Sequence, residues 1–133
     1  MVTVTQKDLK NFALRMAARS FYNCTKFAPK KARTIAKACR KLDSEFILTD
    51  ALYDKLIEEY GQHDDKGNVV PQPGGAPGSF LIAEGKEEAF EKAIAETEQV
   101  TVDIEGVSFT MDDLEVVGNL SPAQVEALEP FIQ

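Results

Sequence analysis

The stretch Pro29-Lys-Lys-Ala-Arg-Thr-Ile-Ala-Lys-Ala-Cys-Arg-Lys-Leu-Asp-Ser-Glu-Phe46 decides how the rest of the chain is read. Pro29 suits the first turn of a helix, where its missing N–H is not needed. Ala32, Ile35, Ala36, Cys39, Leu42 and Phe46 then recur at spacings of three and four, the period of an amphipathic helix. Leu52, Leu56, Ile57 and Tyr60 extend the pattern to about residue 61. Ile47-Leu-Thr-Asp50 disturbs its phase and marks a kink or break near Thr49. The polar side of the same stretch carries Lys30, Arg33, Lys37, Arg40 and Lys41, also three and four apart, so they share one face.

Upstream, Thr5 reads as an N-cap with Asp8 three residues on. Leu9, Phe12, Ala13, Met16, Ala17 and Ser20 predict one helix over about 6–22, ending near Asn23. A long helix beside a shorter one predicts an antiparallel αα-hairpin over residues 1–62. In it, Ile35, Cys39, Leu42 and Phe46 pack on Leu9, Phe12 and Met16.

Downstream, residues 63–85 read as a turn and a Pro/Gly loop. Asp64-Asp-Lys-Gly-Asn68 is a turn, and Pro71-Gln-Pro-Gly-Gly-Ala-Pro-Gly78 is an irregular surface loop. Val69-Val70 and Phe80-Leu-Ile82 flank it and can pair as a short hairpin. Residues 86–133 form an acidic α/β portion. A helix begins at Lys86 with Phe90, Ala93, Ile94 and Thr97 on one face. Val100 to Ile104 alternates like a half-buried strand. Gly106 turns the chain, and Val107-Ser-Phe109 reads as a second strand, making a small C-terminal β-hairpin. Met111–Val117 fits a helix or a strand equally. Ser121, Pro122 and Gln124 mark a helix start, with Val125, Leu128 and Phe131 facing inward. The fold class is α+β, in a single domain over 1–133.

Composition bounds the function. The 133 residues, 44% hydrophobic, can bury a real core, and 28% charged is ordinary for a globular protein. No apolar run approaches the roughly 20 residues of a transmembrane helix, and the N-terminus lacks a signal-peptide layout. The expectation is a cytoplasmic protein with Cys24 and Cys39 unpaired. Charge is strongly segregated. Residues 1–41 carry eleven Lys/Arg against Asp8 alone, +10; residues 42–133 carry four Lys against 21 acids, −17; the total is −7. Halves so charged attract each other, within one molecule or between neighbours.

Several segments share an order and spacing: Lys30-Lys-Ala-Arg-Thr34, the acidic helix Leu52–Tyr60, the turn Asp64–Asn68, then Glu96–Glu105 and the ending Leu120-Ser-Pro-Ala-Gln-Val-Glu-Ala-Leu-Glu-Pro-Phe131. In these the chain resembles a small family of tailed-bacteriophage proteins, a domain of unknown function often encoded near tail and baseplate genes. The resemblance covers about residues 29–133, and its most specific part is the terminal motif. The Pro/Gly insert at 71–79 departs from it. The resemblance implies a virion or virion-assembly role by association only.

No catalytic, cofactor or metal motif is present. His63, the single histidine, sits beside Asp64 and Asp65 and reads as a solvated loop residue. The Asp64–Asn68 turn resembles a calcium loop but lacks the ligand at Lys66 and the closing Glu. Gly74–Gly78 has no following Lys-Ser/Thr and is not a phosphate loop. Neighbouring acids such as Asp112/Asp113 and Glu87/Glu88 do not share a helical face. Neither cysteine has a histidine beside it to activate it.

The expectation is therefore a non-enzymatic bacteriophage protein that acts by protein–protein binding, in virion structure or assembly. Its localisation is the virion or the host cytoplasm, with no membrane association and no cofactor. Lys30, Arg33, Lys37, Arg40 and Lys41 form the partner-binding basic face, aided by Lys7, Lys10, Arg15 and Arg19. The partner is a phage virion protein or a host protein, and the two charge signs on one chain also allow a homo-oligomer. Nucleic acid ranks below protein as partner, because no DNA-binding motif is present and net charge is negative. The alternative is a phage-encoded inhibitor or regulator of a host protein whose acidic half imitates nucleic acid.

Overall fold

The computed structural model describes residues 1–76 and 78–133. The chain is α+β. It runs β1 (Val2–Thr5), α1 (Gln6–Lys10), α2 (Phe12–Asn23), α3 (Pro29–Tyr60), α4 (Glu87–Glu98), β2 (Thr101–Ile104), α5 (Met111–Val117) and α6 (Pro122–Leu128). A 3-10 turn, Glu129–Phe131, follows α6. Pro77 of the Pro/Gly loop lies outside the described residues.

The expected single helix over 6–22 is two helices. Thr5 caps α1 in a capping box with Asp8. Asn11 then leaves the helical region (φ −64°, ψ 118°) and caps α2, its Oδ1 accepting from the Ala13 N–H at 3.0 Å. An Asn that satisfies the next helix's orphan donors competes with helix continuation. The break rotates the inner face of α2. Leu14, Ala17, Ala18 and Phe21 are buried, whereas Phe12, expected in the core, is 73% exposed, and Met16 is half-buried. Leu9, Ile35, Cys39, Leu42 and Phe46 are buried as expected.

No break occurs near Thr49: α3 is continuous for 32 residues. Thr49 occupies the inner stripe that Ile35, Cys39, Leu42 and Phe46 begin, and leaves Ile47 and Leu48 exposed. Its hydroxyl donates to the Gln6 Oε1 at 2.6 Å, so a polar residue is satisfied where an apolar one was expected. The chain reverses over 24–28, and α3 returns along α2 and α1. The Cys39 Sγ lies 3.5 Å from the Ala18 carbonyl, and Thr49 reaches Gln6.

The partner of β2 is not the Val107–Phe109 segment. β2 pairs antiparallel with β1, in the register Val2↔Ile104, Thr3↔Asp103, Val4↔Val102 and Thr5↔Thr101. Val4 and Ile104 are buried, and on the other face the Thr3 hydroxyl donates to the Asp103 Oδ1 at 2.7 Å. Gly106, at φ 77°, turns the chain so that Val107 and Phe109 enter the core instead of folding back on β2. Phe109 makes an isolated parallel bridge to Ile132, its N–H donating to the Phe131 carbonyl. The C-terminal β-hairpin is thus replaced by a two-stranded sheet that joins the N-terminus to the acidic portion.

Met111–Val117 is a helix, α5, capped by a reciprocal Thr110/Asp113 box. α6 starts with Ser121, Pro122 and Gln124 as expected, and Leu128 and Phe131 are buried. The core lies where α2, the first half of α3, the strands and the C-terminal segment meet. Phe21 and Phe109 pack there with ring centroids 4.4 Å apart and planes tilted by 34°.

A second, half-buried cluster sits at the far end of α3. Tyr60 packs on Phe90 at 5.9 Å, and Phe80 meets Phe90 edge-on at 5.5 Å. Pro71 bridges Phe80, and the Leu81 N–H donates to the Val70 carbonyl at 2.9 Å, within the expected pairing of 69–70 with 80–82. Gly61 joins in as well, bridging Ile82, while the Gln62 N–H donates to the Leu81 carbonyl. Phe90, Ala93, Ile94 and Thr97 form the inner face of α4, as read from the sequence.

Candidate functional site

Eight of the eleven basic residues in the first 41 positions separate into two groups once the chain is folded. Arg15 belongs to the first. Its Nη1 and Nη2 donate to Asp50 Oδ2 and Oδ1 at 2.9 and 2.8 Å, and its Nε donates to the Leu9 carbonyl at 3.0 Å. Its guanidinium also lies 5.0 Å from the centre of the Phe46 ring. Lys10 reaches the same Asp50 at 3.1 Å. Lys31 pairs with the buried Asp113 at 3.2 Å, tying α3 to the α5 cap. These three cations are engaged within the chain.

The second group is Lys30, Arg33, Lys37, Arg40 and Lys41, all exposed. At about 3.6 residues per turn they fall within an arc of roughly 100°, opposite the buried stripe of α3. The structure therefore brings all five candidate residues onto one solvent face. Among the described residues, no carboxylate oxygen lies within 4.0 Å of Lys30, Arg33, Lys37 or Arg40; Lys41 approaches Glu45 at 3.9 Å. A pair so long and exposed contributes little, and the face keeps its charge. Lys7 and Arg19 are exposed as well, but Lys10 and Arg15 are engaged with Asp50 and do not extend this face.

Beside the basic arc runs an open groove of ≈ 560 Å³ between α2 and α3. Ala18, Cys39 and Phe46 are buried at its floor, and Arg19, Tyr22, Arg40 and Ile47 stand at its rim. The small side chains of Ala18 and Cys39 leave the hollow where the two helices face each other. Arg40 belongs to both features. Burial pushes the Cys39 thiol up to about 11, and with its Sγ near the Ala18 carbonyl it is no nucleophile at neutral pH. Cys24 and Cys39 are both free. The groove escaped sequence reasoning because its walls come from two helices whose relative rotation the Asn11 break sets.

The remaining chemistry-bearing positions are engaged locally. The Asp64 carboxylate accepts from the Lys66 and Asn68 N–H groups at 2.9 and 3.0 Å, closing the turn on itself. The His63 Nε2 lies 3.0 Å from the Glu58 Oε1 at the surface. Among the described residues, no three His, Cys, Asp or Glu side chains converge on a metal position. No helix among them is long and apolar enough to cross a membrane.

Comparison with family models, with curated proteins and with solved structures gives no match to this chain.

Proposed function

We propose that the protein is a non-enzymatic binding protein whose basic α3 face, Lys30, Arg33, Lys37, Arg40 and Lys41, docks on an acidic protein surface. The N-terminal helices act as an αα-hairpin that presents this face. The observation that carries the reading is the set of five exposed cations on one arc, four of them with no carboxylate oxygen within 4.0 Å among the described residues. Burying such charges against partner carboxylates removes the mismatch and steers encounter. The groove beside Arg40 adds apolar contact from Tyr22 and Ile47 at the edge of the charged face.

The resemblance to tailed-bacteriophage proteins supports a role for this docking in virion structure or assembly, with a virion protein or a host protein as partner. Mass spectrometry of purified particles tests the virion placement, which fails if the protein is absent from particles and from their assembly intermediates. The docking itself is tested by a pull-down across a salt series, with wild type beside a Lys30→Glu, Lys37→Glu, Lys41→Glu variant. The variant should keep its fold and lose its partners, and wild-type recovery should fall as salt rises. Equal recovery by both proteins at every salt concentration would sink the reading.

A further inference from the structure

The basic face has a counterpart on the same chain that it cannot reach. On α4, Glu87, Glu88 and Glu91 are exposed and Glu98 is half-exposed. At about 3.6 residues per turn they too fall within an arc of roughly 100°. Lys92 stands at the edge of that arc, and Lys86 is turned away, its Nζ donating to the Glu59 carbonyl at 3.3 Å. Lys30 to Lys41 and Glu87 to Glu98 each cover eleven residue steps, about 16 Å of helix. The two stripes therefore match in length and arc and oppose in sign.

Within one molecule they stay apart. The start of α4 packs on the end of α3 through Tyr60 and Phe90, and just past its end the Val100 carbonyl accepts from the N–H of Gln6, whose side chain meets Thr49. From Lys41 to Thr49 the helix rises about 12 Å, and from Lys30 to Tyr60 about 45 Å. Both exceed the roughly 8 Å over which exposed charges interact at physiological salt. The rigid, unbroken α3 holds the stripes at its opposite ends.

We propose that the acidic surface taken by the basic α3 face is the α4 stripe of a second copy of this chain. The inference rests on the docking reading above and names its partner. The contact is head-to-tail: one copy offers Lys30–Lys41, the next offers Glu87–Glu98, and each keeps its other stripe free. Such a heterologous contact repeats into a ring or an open filament. Leu48, 64% exposed, continues the basic arc beyond Lys41 and supplies apolar surface to the contact. Two copies at −7 each repel at long range, so the attraction is a short-range one between stripes.

The test is a charge swap read by sedimentation velocity at about 0.1 M salt over a concentration series. One variant carries Lys37→Glu, Arg40→Glu and Lys41→Glu; the other carries Glu87→Lys, Glu88→Lys and Glu91→Lys. Circular dichroism and thermal melting confirm that both are folded. Wild type should sediment faster as concentration rises. Each variant alone should associate at least about 10-fold more weakly, because its two stripes then carry one sign. An equimolar mixture of the variants should recover association, since the first retains its acidic stripe and the second its basic one. A wild type that stays monomeric throughout overturns the inference, as does association that neither variant weakens or that mixing fails to restore. If the inference fails while the pull-down still loses its partners on reversal, the docking reading stands with another acidic protein as partner.

Discussion

Arg15 holds Asp50 in a two-pronged grip across α2 and α3, Nη1 on Oδ2 and Nη2 on Oδ1, while its Nε closes on the Leu9 carbonyl. The contact pins the long helix to the break at Asn11. The inner face of α2, Leu14, Ala17, Ala18 and Phe21, is buried beside this contact.

The clamp makes stability depend on pH in the acid range. Hydrogen bonding from Arg15 holds the Asp50 carboxyl below its ordinary value, with Lys10 adding to the effect and partial burial opposing it. A lowered folded-state pKa gives stability that is present above the unfolded value of about 3.9 and lost as pH falls through the folded one. Asp50→Asn should therefore melt lower than wild type near neutral pH, with the difference shrinking as pH falls below about 4. Thermal melts of both proteins across that range check it, and parallel curves would show that the clamp contributes no pH dependence.

Thr49 and Gln6 form a polar pair inside an apolar stripe. Thr49→Val leaves the Gln6 Oε1 without its donor at a position 9% exposed, at a cost of about 1–3 kcal/mol. Removing both partners should cost less than the two single changes added together, because the orphaned acceptor goes too. Urea unfolding of a double-mutant cycle measures the coupling; strict additivity would mean the bond does not matter to stability.

Phe131 and Phe12 should behave oppositely. Phe131 is 1% exposed at the closing turn, and Phe131→Ala should cost roughly 3–5 kcal/mol. Phe12 projects into solvent from the first turn of α2, and Phe12→Ala should stay within about 0.5 kcal/mol. Equilibrium unfolding of the two variants side by side checks this, and equal losses would contradict a solvent-facing Phe12.

Gly61 ends α3, and a Cβ there would sit 2.5 Å from the Ile57 carbonyl oxygen, a backbone atom that also accepts the Gly61 N–H. Gly61→Ala should cost about 1–3 kcal/mol through the forced shift. The loss should show as weakened hydrogen-exchange protection around Gln62, Val70 and Leu81. Unchanged exchange there, with unchanged stability, would contradict the tight closure.

Much of this protein is written within a few residues of each feature. The boxes Thr5/Asp8 and Ser121/Gln124, Pro29 at the start of α3 and the inner face of α4 depend on contacts three or four residues apart, and the sequence alone determined them. The basic arc is legible for the same reason: a helical period places Lys30, Arg33, Lys37, Arg40 and Lys41 together wherever the helix packs. Asn11 could equally lie inside a helix or cap the next one, and only packing against α3 chose the cap. The pairing of Val2–Thr5 with Thr101–Ile104 spans about a hundred residues, and a four-residue strand does not name its partner. Likewise Lys10, Arg15 and Lys31 look like members of one basic surface until Asp50 and Asp113 are brought beside them. Local spacing determined which side chains share a helix face; the tertiary structure decided which charges are neutralised and which are left for a partner, because an ion pair forms between groups distant in sequence only after the core has set the helices' positions.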